Sequence, residues 1–203
     1  MKIICIGRNY SDHIKELSNE RPKDPVVFIK PDSSIIAKNQ NFVIPTFSNE
    51  IHHEVELVVK INKVGKYIDK SFSNKYYNQI GLGIDFTARD IQNKLKEKGY
   101  PWEKSKAFDN SCMVGDFINI EEIENISNIS FELKKNSKIV QSGNSSNMLW
   151  KIDEIISYVS QYFTLKIGDL IFTGTPSGVS KVTSGDFLEG FINSNKMFSL
   201  KIK

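Results

Sequence analysis

Glu54 and Glu56 stand two apart in "IHHEVELVV" (Ile51 to Val59), and Asp85 closes the apolar run "NQIGLGID" (Asn78 to Asp85). In an extended strand alternate side chains share a face, so the two glutamates point one way while Val55, Leu57 and Val59 point the other. Such a pair is ordinarily solvated, because charged side chains are rarely buried unless paired. Joined by Asp85 it acquires another chemistry. Three acids drawn together repel one another unless a cation lies between them, and an all-oxygen donor set suits magnesium, manganese or calcium rather than zinc. Magnesium or manganese with open positions is the expected cofactor. Taken alone, Asp85 reads as a strand-end turn residue before it reads as a ligand, and spacing by itself does not close the case.

Other residues could act beside these acids. His13 and Glu16 are three apart in "SDHIKEL" (Ser11 to Leu17), so on a helical turn they touch, and a carboxylate beside an imidazole fixes its tautomer and strengthens it as a base. The alternative is a solvent-facing turn. Arg89 and Gln92 are also three apart, on the helix expected after Asp85, and share a face that could be plain polar surface. Lys106 in "PWEKSKAFDNSC" and Thr175 in "TGTP" have bland readings too, as a surface lysine and a turn residue. His52 and His53 flank the glutamates and read as hydrogen-bonded scaffold groups, not as ligands. Gly7, Arg8 and Asn9 read either as a turn or as part of the site entrance.

The elements that must position these residues are mostly strands. "KIICIG", "VVFIK", "SSIIA", the Glu-x-Glu stretch, "NQIGLGID", "DLIFTGTP", "DFLEGFI" and "KMFSLKI" all read as strands. Gly81 and Gly83 mark a place where something approaches the backbone closely. "ISFELKKNSKIVQSG" alternates on both sides of Asn136-Ser137, which predicts a hairpin. Ser11 is a candidate helix cap, and "TARD" (Thr87 to Asp90) has the form of a capping box whose helix ends near Gly99-Tyr100-Pro101. Met148, Ile152, Ile155, Ile156, Val159 and Phe163 recur at helical spacing. "SNERPKDP" (Ser18 to Pro25) has two prolines, four charges and no apolar period, and reads as a mobile connection.

Composition narrows the class. A chain of 203 residues with 39% hydrophobic and 25% charged residues is an ordinary globular sequence, read here as one domain spanning residues 1–203. The net charge of +3 comes from scattered lysines, with Arg8, Arg21 and Arg89 the only arginines, which argues against a nucleic-acid partner. Two cysteines, Cys5 and Cys112, make no disulfide framework, and the apolar stretch at the N-terminus is too short for a signal peptide or membrane span. A cytoplasmic protein with no membrane partner is expected.

Seven blocks, "CIGRNYSDHIKE", "PVVFIKP", "HHEVELVV", "GIDFTARD", "PWEKSKAFDNSC", "GNSSNMLW" and "GDLIFTGTPSGV", occur in an order that resembles the fumarylacetoacetate hydrolase superfamily, in its small branch of acylpyruvate hydrolases and oxaloacetate decarboxylases or tautomerases. The resemblance implies a β-rich α+β fold, a roll of mixed sheets with a few peripheral helices and an N-terminal lid, assembled as a homodimer. It implies that Glu54, Glu56 and Asp85 hold the metal, and that the His13–Glu16 dyad on the lid activates water. Lys106 would face a substrate oxygen and stabilise negative charge, with Arg89, Gln92 and Thr175 around a small keto-acid substrate. The activity implied first is cleavage of a carbon–carbon bond in acylpyruvates, releasing pyruvate and a carboxylic acid. The alternatives are oxaloacetate decarboxylation or keto–enol tautomerisation, or isomerisation of a 2-hydroxy-dienoate, at the same site. A non-catalytic dicarboxylate binder needs no base over the keto carbon, and the intact His13, Glu16 and Lys106 argue against one. Met113, Ser145 and Trp150 depart from the family's more usual residues and bear on pocket shape.

Overall fold

The computed structural model describes residues 1–17 and 20–203, so the first two residues of the expected mobile connection lie outside the described residues. Thirteen strands and four short helices follow one another: β1 (Lys2–Gly7), α1 (Ser11–Glu16), β2 (Val26–Pro31), β3 (Ile51–His53), β4 (Val55–Ile61), β5 (Tyr77–Asp85), β6 (Thr87–Ala88), α2 (Arg89–Glu97), α3 (Glu103–Lys106), β7 (Cys112–Asn119), β8 (Ser130–Lys135), β9 (Lys138–Asn144), α4 (Ile152–Tyr162), β10 (Leu170–Phe172), β11 (Ser180–Lys181), β12 (Phe187–Ile192) and β13 (Asn195–Lys201). The fold is β-rich α+β, as the resemblance implied.

Three sheets share the work. The largest runs β2-β1-β10-β4-β5-β7 and is mixed, since β1 and β10 are parallel while the other pairs are antiparallel. A four-stranded antiparallel sheet runs β13-β12-β8-β9, and a small one joins β11, β3 and β6. Alternation explains how the large sheet is covered on both faces: along β1, Ile4 and Ile6 enter the main core, while Ile3 and Cys5 join Val58, Cys112, Leu170 and Phe172 in a smaller cluster opposite. The hairpin forms where alternation placed it, with Asn136 and Ser137 both at positive φ (52° and 67°) as a tight two-residue turn requires. Close approach at the glycines is also real: a Cβ on Gly83 would lie 2.5 Å from the Met113 carbonyl and 2.8 Å from the Phe172 ring.

Some local expectations fail for tertiary reasons. "SSIIA" is not a strand: Ser33 and Ser34 belong to a 3₁₀ turn (Asp32–Ser34), and Ile35 makes one isolated bridge to Cys112 at the start of β7. Ser11 does not cap α1, whose N-cap is Tyr10. Thr87 does not cap α2 either. It lies in β6, its hydroxyl accepts from Lys106, and Asp90 bonds Ser48 and the Asn49 N–H instead. Among the described residues no helix is long and apolar enough to cross a membrane.

Candidate active site

The strand that carries the glutamates changes sheets at Glu54. β3 pairs with β6 and β11, whereas β4 pairs with β5 and β10, and the same seam falls between β5 and β6 just after Asp85. Across it the Asp85 N–H donates to the Glu54 carbonyl at 2.8 Å. The β4–β5 register sets Glu56 opposite Gly83 and Val55 opposite Ile84, so Glu54, Glu56 and Asp85 fall on one face with no side chain at Gly83 to intervene. Each offers a carboxylate oxygen within 4.8 Å of the others, and all three are buried.

Their charges are balanced unequally. Burial opposes ionisation of Glu54, but Lys106 and Arg89 outweigh it and hold the carboxyl well below the usual carboxylate range. Arg89 pairs with Glu54 Oε1, and Lys106 Nζ lies 2.8 Å from Oε2. Glu56 has no ion pair among the described residues. Burial, Asp85 and Glu54 push its pKa well above the ordinary value, against which stands the Gly174 N–H at 2.7 Å.

Asp85 Oδ2 accepts from Lys106 at 2.7 Å, while Oδ1 is buried without a hydrogen bond. Lys30 Nζ lies 2.7 Å from that oxygen as an ion-pair partner. Its hydrogen bonds, however, go to the Lys106 carbonyl and to the Ser111 carbonyl and hydroxyl. An Asp85 oxygen that accepts no hydrogen bond, beside a Glu56 carboxyl with no ion pair among the described residues, in an all-oxygen set, fits a divalent cation such as magnesium or manganese.

The other expected residues gather round this cluster. A cleft is lined by His13, the three acids, Arg89, Gln92, Lys106 and Thr175. Glu16 does not line it but lies behind His13: His13 Nδ1 is 3.1 Å from Glu16 Oε2, and Glu16 Oε1 accepts the Gly178 N–H at 2.9 Å. Lys106 faces the acids more than open space, its ammonium donating to Glu54, Asp85 and the Thr87 hydroxyl and lying 5.3 Å from the centre of the Phe28 ring. Arg89 donates to Gln92 Oε1 at 2.6 Å, so these two act as one unit. The Thr175 hydroxyl is committed to the scaffold, donating to the Val55 carbonyl at 2.8 Å and accepting from Gln141 at 2.9 Å.

His53 is a scaffold group. It bonds Gln141 and Ser180, and burial lowers its pKa to about 4, so it stays neutral. His52 bonds Glu50 at 3.2 Å, and neither ring belongs to the acidic cluster. Asn9 is fully buried and ties the loop after β1 to Trp150 and to the Thr173 carbonyl at the end of β10.

Sequence reasoning passed over two organising residues. Lys30 is a lone lysine in the apolar strand "VVFIK", a signal for an inward-facing cation that could have been used. Gln141 accepts from His53 Nδ1 and the Val55 N–H, and donates to Thr175 and the Pro176 carbonyl; nothing in its local pattern marks it.

Residues 2–198 match the family model described as fumarylacetoacetate (FAA) hydrolase, C-terminal. Oxaloacetate tautomerase YcgM of Escherichia coli (strain K12) is 42% identical over 188 residues, which cover 92% of this chain and 86% of that protein. A Dictyostelium discoideum protein, oxaloacetate decarboxylase, mitochondrial, is 40% identical over 189 residues, covering 93% of this chain and 87% of that protein. The crystal structure of fumarylpyruvate hydrolase from Pseudomonas aeruginosa in complex with Mn2+ and pyruvate superposes with a TM-score of 0.93 at 30% identity, over 100% of this chain and 89% of that one. Fold, motif order and these relatives agree: the chain belongs to the fumarylacetoacetate hydrolase family, in its oxaloacetate tautomerase-like branch.

Proposed function

We propose that this protein is a divalent-metal-dependent enzyme that interconverts the keto and enol forms of oxaloacetate. The sequence put acylpyruvate cleavage first and oxaloacetate chemistry second, and the similarity to an oxaloacetate tautomerase at 42% identity and to an oxaloacetate decarboxylase at 40% reverses that order. The observation that carries the reading is the convergence of Glu54, Glu56 and Asp85 within 4.8 Å in one cleft with His13.

Glu54, Glu56 and Asp85 would hold magnesium or manganese, which supplies positive charge toward the 2-oxo acid end of the substrate and so acidifies C3. His13 is the group placed to move the proton. With Nδ1–H donated to Glu16, its Nε2 keeps a free lone pair to take a proton from C3 and return it to oxygen, and the reverse step uses the same nitrogen. Glu16 stabilises the imidazolium formed on the way and is itself anchored by the Gly178 N–H. Lys106 and Arg89 keep Glu54 ionised. Acylpyruvate hydrolysis is the second reading, favoured by the same dyad, which suits activation of water.

The test follows enol oxaloacetate by its ultraviolet absorbance and pyruvate by a coupled assay, with magnesium, manganese or chelator, alongside acetylpyruvate cleavage. Metal-dependent ketonisation that falls about 10²–10⁴-fold in His13→Ala is expected. Faster acetylpyruvate cleavage than ketonisation would install the second reading, and equal rates in chelator would remove both.

A further inference from the structure

We infer that Asn9 is a positioning residue for the cation site: its side-chain amide holds the peptide group between Thr173 and Gly174, and that peptide in turn holds Glu56. This role rests on Glu54, Glu56 and Asp85 taking a divalent cation, as proposed above.

The two ends of one peptide group carry the link. Asn9 Nδ2 donates to the Thr173 carbonyl at 2.7 Å, and the N–H of the next residue, Gly174, donates to Glu56 Oε2 at 2.7 Å. A planar trans peptide points its C=O and N–H to opposite sides, so Asn9 and Glu56 lie at opposite ends of one rigid plate. Hydrogen bonds in such a chain polarise one another, and a donor on the carbonyl strengthens the N–H toward the carboxyl group. The orientation of the Asn9 amide is fixed by its other partners. Its Oδ1 accepts the Trp150 N–H at 2.8 Å, which leaves both Nδ2 hydrogens as donors, one to Thr173 and one to the Trp150 carbonyl at 3.1 Å. Asn9 is fully buried, where each of these bonds is electrostatically stronger than it would be in water.

Packing holds the plate at both ends. The Thr173 N–H and hydroxyl both donate to the Leu57 carbonyl, at 3.1 and 3.0 Å, next to Glu56 in the chain. Gly174 rests against Asn9 itself, since a Cβ on Gly174 would come within 2.6 Å of the Asn9 Cβ. The side chain that Gly174 lacks is the room that Asn9 occupies. Asn9 also belongs to the turn that leads to His13. Its own carbonyl accepts the Leu149 N–H at 2.9 Å, and the carbonyl of the next residue, Tyr10, accepts the Ile14 N–H of α1 at 3.0 Å. One side chain therefore joins the turn that carries the base to a ligand of the cation.

Titration with Mn2+ followed by electron paramagnetic resonance reads the site without any turnover. Asn9→Ala should bind Mn2+ about tenfold more weakly than the wild type, the low end of what partners behind a metal ligand typically contribute. Glycine-selective ¹⁵N labelling gives a second readout in chelator, where the Gly174 amide proton should move upfield as its hydrogen bond to Glu56 weakens. Should Asn9→Ala fail to fold, Asn9→Leu fills a similar volume without the amide and carries both measurements. Ile156→Ala, a core change on α4, should leave both readouts as in the wild type. An unmoved Gly174 amide, or the same two changes in Ile156→Ala, would overturn the proposal, because the effect would then not run through this peptide. Mn2+ binding that the Asn9 variants leave intact would remove this role alone, whereas a wild type that binds no Mn2+ would remove the cation site and this role with it.

Discussion

Glu54 and Glu56 are two residues apart and meet opposite electrostatic conditions. A folded-state pKa below the unfolded value of about 4.3 contributes stability that is present above that value and lost as the pH falls; this is Glu54, held down by Lys106 and Arg89. A raised folded-state pKa does the reverse, costing stability as the pH climbs from about 4.3 toward the folded value; this is Glu56, crowded by Asp85 and Glu54. Glu56→Gln in chelator should therefore melt above the wild type at pH 7 and show a flatter decline from pH ~4.3 upward. It should also lose the gain on adding magnesium. Melts across pH by differential scanning fluorimetry measure this, and a lower melting temperature in chelator at pH 7 would refute it. Lys30→Met is expected to cost roughly 3 kcal/mol in urea unfolding, because it strips buried Asp85 of one ion-pair partner and takes one of two donors from each of the Lys106 and Ser111 carbonyls, which keep the Ser111 hydroxyl and the Phe86 N–H.

At the scale of elements, the segment after β10 joins the two halves of the site. The Gly174 N–H reaches Glu56, the Thr175 hydroxyl pins the segment to Val55, and the Gly178 N–H holds Glu16. Gly174 sits at φ +100°, and a Cβ there would lie 2.6 Å from the Asn9 Cβ, so the backbone has to move to admit one. Gly174→Ala should lose about 1–3 kcal/mol of stability and weaken magnesium binding together, read by denaturant unfolding and by titration of the metal. Stability lost with magnesium affinity intact would mean that this N–H does not position Glu56. Thr175→Val keeps the volume but removes the hydroxyl, leaving the Val55 carbonyl and Gln141 each short of a partner. About 1–3 kcal/mol is expected from that change as well, in the same unfolding assay.

For the molecule as a whole, a cation that binds only the folded state adds to its stability by mass action. At a hundredfold its dissociation constant the gain is about 2.7 kcal/mol, which for a chain of this length is roughly 5–11 °C in melting temperature. Wild type with magnesium against chelator should show that shift, and Asp85→Asn should abolish it. How far these features could be read without coordinates varies along the chain. β1, β5 and the β8–β9 hairpin follow directly from alternation and turn residues, because strand faces and tight turns are local properties. The stretch at residues 33–37 and the Thr87 cap misled, because each depended on a neighbour distant in sequence: Cys112, which Ile35 meets in a single bridge, and Lys106. Lys30 and Gln141 escaped notice for the same reason, since Lys30 bonds groups 76 and 81 residues ahead and Gln141 groups 86 and 88 residues behind. Motif order and periodicity decided the family, the β-rich architecture and the identity of the three acids. Only folding decided that Lys106 and Arg89 would be tied to Glu54 while Glu56 was left without an ion pair among the described residues, because pairing across a buried seam depends on strand register and side-chain reach, which no local window contains.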